Sequence, residues 1–490
     1  MGKSKTPSFV LELELQVNKR ADRILDSKRI CANAIYDAAL GEALKRLHKL
    51  QQDREYQALE KKLRKTKVKK ERKPIYDQIN ILKKKYNYSE YELHSYITDA
   101  QHHFSSRINS NEAQKLATRA FNAVEKLRIG KAKKVRFRSR DEDISIEGKN
   151  NTVYPLFRDG MVWLDQDTPV PVILKKGDSY AQLAIQSRVK YIRILCRTIR
   201  GRRRWFVQLI LEGIPPRKKR EYGKGVAGID EGVSTIAVVS DNDILFEELA
   251  PGTAVDAKKV RRLQRAIDRS TRATNPDNYK SDGTLKPKKQ RSKWVYSKRC
   301  LRLKAELREL HRKSAAKRRQ SHEELANRIL RMADTIVVEE MNIAGLARRS
   351  KKTSRNMKNG KINSKKRFGK AVAIRAPATL ISIINRKLGY IGKKIIKIDA
   401  RAVKASQLDH VTGEYTRKPL KQRHADVGGY RVQRDLYSAF LIKHAAKGIV
   451  NRKACADNFE QFVIAQNKVV ESIRSNGSSH MRWYASYPEI

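Results

Sequence analysis

Three short apolar runs, VAGID, STIAVVS and ILFEEL, follow one another from Val226 to Leu249 with only EGV and DND between them. β-branched runs this short, joined by turn-length spacers, predict three consecutive antiparallel strands. Two further runs, DTIVVEEMN ending at Asn342 and KIIKID ending at Asp399, read as strands but come after helical stretches. They reach the same layer only through crossovers, because a parallel neighbour needs a long connection. The expected order is three antiparallel strands, helix, strand, helix, strand, helix, which is an α/β layer with an antiparallel edge. The first helical stretch is a long basic segment, 254–332, with a loop at RATNPDNYKSDGTLKPKK and a stripe of Leu303, Leu307 and Leu310. The second is ATLISIINRKLGYIGK, and the last is VQRDLYSAFLI, opened by Asp435.

Upstream the pattern differs. Phe9, Leu11, Leu13, Leu15 and Val17 alternate with Glu12, Glu14 and Gln16, which predicts one half-buried strand. From about residue 20 to 130 the spacing of Ile24, Cys31, Ile35 and Ala38 turns helical, and a basic helical region is expected to break near Pro74. Between 131 and 216 lie TVYPLF, GMVWLD, YIRILCRTI and RWFVQLILEG, the last two joined by the turn RGRR. A lone strand needs a partner for its apolar face, so the strand at 8–17 and the 131–216 runs predict one β module interrupted by helices. Tyr154, Trp163, Tyr191, Trp205 and Phe206 in those runs are core residues first and base-stacking candidates second.

The chain carries 108 Lys and Arg against 52 Asp and Glu, a formal charge of +56. Such an excess calls for a polyanion, and extended contact with nucleic acid satisfies it through counterion release. No apolar stretch approaches a membrane span, and MGKSKTPSF does not read as a signal peptide, so an intracellular, cytoplasmic protein without membrane contact is expected. Cys31, Cys196, Cys300 and Cys455 lie far apart without a CxxC pair, which argues against a disulfide framework or zinc ribbon.

Three acids occupy element ends: Asp230 closes the first strand in GID, Glu339 the later strand in TIVVEE, and Asp435 opens the last helix. Each has an ordinary explanation as a turn residue, an ion-pair partner or a helix cap. Brought together by folding, they would repel one another unless hard divalent cations joined them. A pair of Mg²⁺ ions, or Mn²⁺, on such a set hydrolyses phosphodiesters, matching the polyanion that the charge requires.

GIDEGVSTIAVVS, TIVVEEMNIAGLARRS and VQRDLYSAFLI resemble the three RuvC-type motifs of TnpB, the transposon-encoded RNA-guided nucleases, and of the compact type V CRISPR effectors. The resemblance implies a multidomain α+β protein: an RNase H-like (RuvC) α/β nuclease domain with a helical insertion, a β-barrel-like wedge module and a helical recognition lobe. The implied boundaries are 1–19 and 131–216 for the wedge, 20–130 for the recognition lobe, 217–224 for a linker and 225–490 for the nuclease. Within the last, 254–332 is the basic insertion and 404–433 a degenerate zinc-type segment or lid. By the same resemblance Asp230, Glu339 and Asp435 are the catalytic, metal-binding acids. The family pattern selects Glu339 over Glu340.

The implied activity is guide-RNA-directed, metal-dependent DNA endonuclease action, with guide RNA, double-stranded target DNA and the RNA–DNA heteroduplex as partners. In the insertion, RRLQRAIDR resembles a basic helix start, making Arg261, Arg262, Arg265 and Arg302 candidate phosphate contacts. Where relatives carry two cysteine pairs, SQLDHVTGEYTRKPLKQRHADVGG has none; His410, His424 and Asp426 lack a thiolate set, so no structural zinc is expected. His102 and His103, neighbours on a helix, point apart and make a poor metal pair. Two other readings share the acids and charge: an RNA-guided DNA-binding repressor with weak or no cleavage, and an RNase H-like transposase or resolvase without guide RNA.

Overall fold

The computed structural model describes residues 6–486 except 67, 141, 217–220, 350–352, 358–359, 361, 363–367, 420–421 and 447. The chain divides into two compact units, the first ending at Lys218. Positions 217–220 of the expected linker lie outside the described residues.

The first unit opens with β1 (Ser8–Leu15), then α1 (Lys19–Gln52), α2 (Arg54–Lys65), α3 (Lys69–Lys85), α4 (Glu90–His103) and α5 (Ser110–Arg128). The strands β2 (Ile146–Glu147), β3 (Leu156–Arg158), β4 (Met161–Trp163) and β5 (Pro169–Ile173) follow, then α6 (Ser179–Ala184), β6 (Val189–Ile199) and β7 (Arg202–Glu212). The sheet order is β2-β6-β7-β1-β5-β4-β3, so the first strand sits at the centre between β7 and β5. Its alternation has a direct reason. Phe9, Leu11, Leu13 and Leu15 are buried in the core, while on the other face Glu14 pairs with Arg204 of the adjacent β7 and Glu12 with Arg197 of β6, one strand beyond. The two-residue turn Arg200–Gly201 has positive φ at both positions, the hairpin geometry that matches strand twist.

The helices α1–α5 share their own core, and the Lys28 ammonium reaches the buried Glu112 carboxylate at 3.0 Å. The expected break at Pro74 is absent: α3 runs through it. Burial of Ile75, Ile79 and Leu82 on one face holds the helix despite one lost hydrogen bond, and the chain breaks earlier, between Lys65 and Lys69. All four cysteines are buried free thiols.

The second unit begins with β8 (Val226–Glu231), β9 (Thr235–Val239) and β10 (Ile244–Glu248). The helices α7 (Ala257–Thr274) and α8 (Lys298–Met332) come next, then β11 (Thr335–Glu339), α9 (Ile343–Leu346), α10 (Gly369–Arg375), α11 (Pro377–Gly389), β12 (Ile396–Ile398) and α12 (Ala400–Val403). The hairpin β13 (His424–Val427) and β14 (Tyr430–Gln433) leads into α13 (Arg434–Lys443), after which come β15 (Ala445–Ala446), β16 (Ile449–Val450), α14 (Arg452–Asn476) and α15 (Ser479–Ala485). The main sheet has the order β10-β9-β8-β11-β12; β8 to β10 are antiparallel, whereas β11 runs parallel to both β8 and β12.

Each strand alternates between two cores. Ala227, Ile229, Ile336 and Val338 pack with α8 and α11, and Ala237, Val337 and Ile398 pack with α13 and α14. The Asp435 helix is therefore not the last element. α14, with Phe459, Phe462 and Val463 buried, completes the second core.

Candidate functional site: a carboxylate cleft on one face of the sheet

The register of β8 and β11 pairs Val337 with Gly228 and Val338 with Ile229. Asp230 and Glu339 come next in step on these adjacent parallel strands, at their carboxyl ends. Alternation puts both on the face covered by α13, and sends Glu231 and Glu340 to the opposite face. Glu340 is exposed there and pairs with Lys397 at 3.7 Å. Glu339 is half-buried and accepts a hydrogen bond from the Ala405 backbone N–H; burial pushes its carboxyl up and that bond pulls it back.

Asp435 arrives from α13, whose approach depends on Gly228. A Cβ there would lie 2.2 Å from the Ala439 carbonyl oxygen and 2.3 Å from the Lys443 nitrogen, so only glycine lets the helix backbone rest on β8. The helix is pinned at both ends. Lys443 Nζ meets Asp241 at 2.8 Å, and Asp241 also accepts from the Val226 N–H at 3.1 Å. At the other end the cap is Gln433, whose side chain accepts from the Leu436 N–H at 2.7 Å, and Gln466 of α14 accepts from the Gln433 N–H at 3.0 Å. Asp435 thus lies in the first turn without being the cap, which removes the ordinary explanation of it as a helix cap. Because Gln433 does the capping, the Asp435 carboxylate is left to turn toward other groups.

Those groups are Arg423 and Arg434, at 3.8 and 3.7 Å from its oxygens. The Arg423 guanidinium itself packs over both Trp483 and Tyr484, 4.2 and 4.4 Å from the ring centres. Asp230 keeps some accessible surface, yet protein surrounds it closely enough that lost hydration is the main force raising its carboxyl well above the usual range. The negative charges of Asp435 and Glu339 add to that rise, and Arg434 opposes it. Asp230 thereby lies within electrostatic reach of both Glu339 and Asp435.

Three carboxylates with no thiolate or imidazole among them are a hard, all-oxygen donor set, and their mutual repulsion at Asp230 is what a divalent cation relieves. The donor chemistry fits Mg²⁺ or Mn²⁺. Among the described residues, no three His, Cys, Asp or Glu side chains close around a common point as a completed ligand set does.

The remaining candidates lie elsewhere. Arg261, Arg262 and Arg265 are exposed on α7 and Arg302 is exposed on α8. His410 is a core residue: its Nδ1 lies 2.8 Å from the Tyr437 hydroxyl and its ring packs on Phe459 at 4.6 Å. His424 opens β13, and burial holds its imidazole down at about 4. Asp426 lies in the same strand, with Val427 and Ala425 of that hairpin in the core. His102 and His103 close α4 in the first unit. Sequence reasoning overlooked Gly228, Arg423, Arg434 and Gln466. Only Gly228, two residues before Asp230, left a local signal; the arginines and the glutamine acquire meaning through contacts made by folding.

No protein-family model matches the chain, and no curated protein matches it. Among solved structures, it is similar to a Cas12f1–sgRNA–target DNA complex at 13% identity and a TM-score of 0.45, over 89% of this chain and 98% of that one. It is also similar to a CRISPR–Cas12f ternary complex at 13% identity and a TM-score of 0.28, over 87% of this chain and 82% of that one. Among the described residues, no helix is long and apolar enough to cross a membrane.

Proposed function

We infer that the chain is a guide-RNA-directed DNA endonuclease of the RuvC type, with an RNase H-like nuclease domain. The observation that carries this reading is the meeting of Asp230, Glu339 and Asp435 on one face of the sheet, where two of the acids raise the carboxyl of the third. The charge of +56 supports a nucleic-acid substrate, and the three motifs support the RNA-guided class.

Asp230, Glu339 and Asp435 would hold the divalent cations, which when bound activate the attacking water and stabilise the leaving oxygen of the phosphodiester. The chain's own residues prepare that site. Gly228 seats α13, Gln433 and Gln466 fix its first turn, and the Ala405 N–H holds Glu339. Arg423 and Arg434 balance the Asp435 charge. The exposed arginines of α7 and α8 supply phosphate contacts, and guide pairing supplies sequence recognition. Magnesium or manganese and guide RNA are the cofactors.

The test is to co-express the chain with its neighbouring noncoding DNA, sequence the RNA that copurifies, and assay cutting of a matched target with Mg²⁺ or with EDTA. Asp230→Ala is expected to reduce cutting by about a thousandfold or more while RNA retention stays near wild type. Loss of RNA retention along with cutting would assign Asp230 to the fold instead.

A second reading, an RNA-guided binder that does not cut, draws on the guanidinium groups beside Asp435, which already answer its charge. Guided binding without Mg²⁺-dependent cutting in the wild-type chain would select it. A transposase or resolvase acting alone would retain no defined RNA.

A further inference from the structure

At the end of the five-stranded sheet opposite Asp230, a cavity of about 790 Å³ opens where the edge strand β10, the end of α8 and the face of α14 meet. Its volume lies within the roughly 300–1,000 Å³ of small-ligand pockets. The floor is apolar: Leu245, Val469 and Ile473 are half-buried at the seam between the two cores of the unit. The rim is cationic. Lys224, Arg331 and Lys468 line it and are exposed, and among the described residues none of them forms an ion pair, whereas the neighbouring Arg328 is held by Glu247. Asp243 is the one acid of the lining.

The rim is built by close approach. A Cβ at Gly223 would lie 2.2 Å from the Arg331 carbonyl oxygen, so only glycine lets the segment leading to β8 run against the end of α8 and bring Lys224 to the cavity. Nothing in the acid cleft uses these residues.

We propose that this cavity binds one unstacked nucleotide of a single-stranded RNA segment, the base on the apolar floor and the flanking phosphates on Lys224, Arg331 and Lys468. The ligand must be flat and apolar at one end and anionic at the other. Bases of a duplex are buried in their stack, whereas loops and bulges of RNA present bases splayed out for such a floor. The inference rests on the reading of the chain as an RNA-binding protein and needs no cleavage.

The test uses the full chain with a 4-thiouridine-labelled single-stranded RNA, photocrosslinking and peptide mapping. Crosslinks are expected on the peptides containing Leu245 and Val469. The triple variant Lys224→Gln, Arg331→Gln, Lys468→Gln should flatten the slope of log affinity against log salt by about 2, from about 0.7 per phosphate contact on a single strand. Val469→Asp should abolish crosslinking at Leu245, with an unchanged unfolding temperature showing that the fold is intact. Crosslinks confined to other surfaces, or an unchanged salt slope, overturn the proposal. Equal crosslinking by 4-thiothymidine-labelled single-stranded DNA overturns the assignment to RNA. A chain that cuts DNA without crosslinking here loses only this inference; one that crosslinks here without cutting loses only the nuclease reading.

Discussion

Asp230 and Glu231 are adjacent in the chain, and each carries a carboxyl that resists ionisation, yet they face opposite sides of one sheet. Asp230 looks toward α13, where two acids and a guanidinium act on it. Glu231 is buried on the other face; lost hydration alone pushes its carboxyl up to about 7, and its Oε1 has no hydrogen-bond partner among the described residues. The first is raised mainly by lost hydration and further by like charges that a cation can join. The second is raised by lost hydration alone. The same direction of shift therefore accompanies a candidate site in one case and an unrelieved cost in the other, and the identity of the neighbours separates them.

The largest way to break the contrast is to move the helix that creates it. Gly228→Ala drives a methyl group into the α13 backbone, and displacement of Asp435 by even an ångström is expected to lower cutting by about a hundredfold. Overpacking should also cost about 1–3 kcal/mol of stability, measured by urea unfolding. Wild-type cutting by a stably folded Gly228→Ala chain would show that α13 does not set the site.

On the opposite face the expected effect is on stability. Between pH about 4.5 and about 7 the unfolded chain releases the Glu231 proton while the native chain keeps it, so stability falls as pH rises through that window. Glu231→Gln removes this loss. The variant should match wild type near pH 4.5 and exceed it by about 3 kcal/mol at pH 8. A difference that stays constant with pH would mean that Glu231 ionises normally.

Within β11 and its exit the comparison narrows to two neighbouring acids, one expected to matter and one to have almost no effect. Glu339→Gln should lower cutting by about a hundredfold or more, while Glu340→Gln, on an exposed residue, should stay within about twofold. Equal effects would remove the distinction between the two faces at this strand.

Much of the strand layout was legible beforehand because it depends on local pattern. Period-two alternation marked the first strand, and the three runs after Val226 marked β8–β10, since side chains of a strand alternate whatever it packs against. The continuous helix through Pro74 was not legible, because local backbone preference argued for a break and burial of Ile75, Ile79 and Leu82 overruled it. Nor was the role of α14, whose Gln466 and aromatic face matter only once they meet α13.

The amino-acid order by itself nominated Asp230, Glu339 and Asp435 and called for a polyanionic partner, because an acid at a strand end and a +56 charge are properties of composition and local spacing. Tertiary structure alone decided which face each acid serves and whose field it feels. That division has a physical cause: strand periodicity acts between near neighbours, whereas a carboxyl's ionisation depends on charges and hydration in space, which distant segments supply.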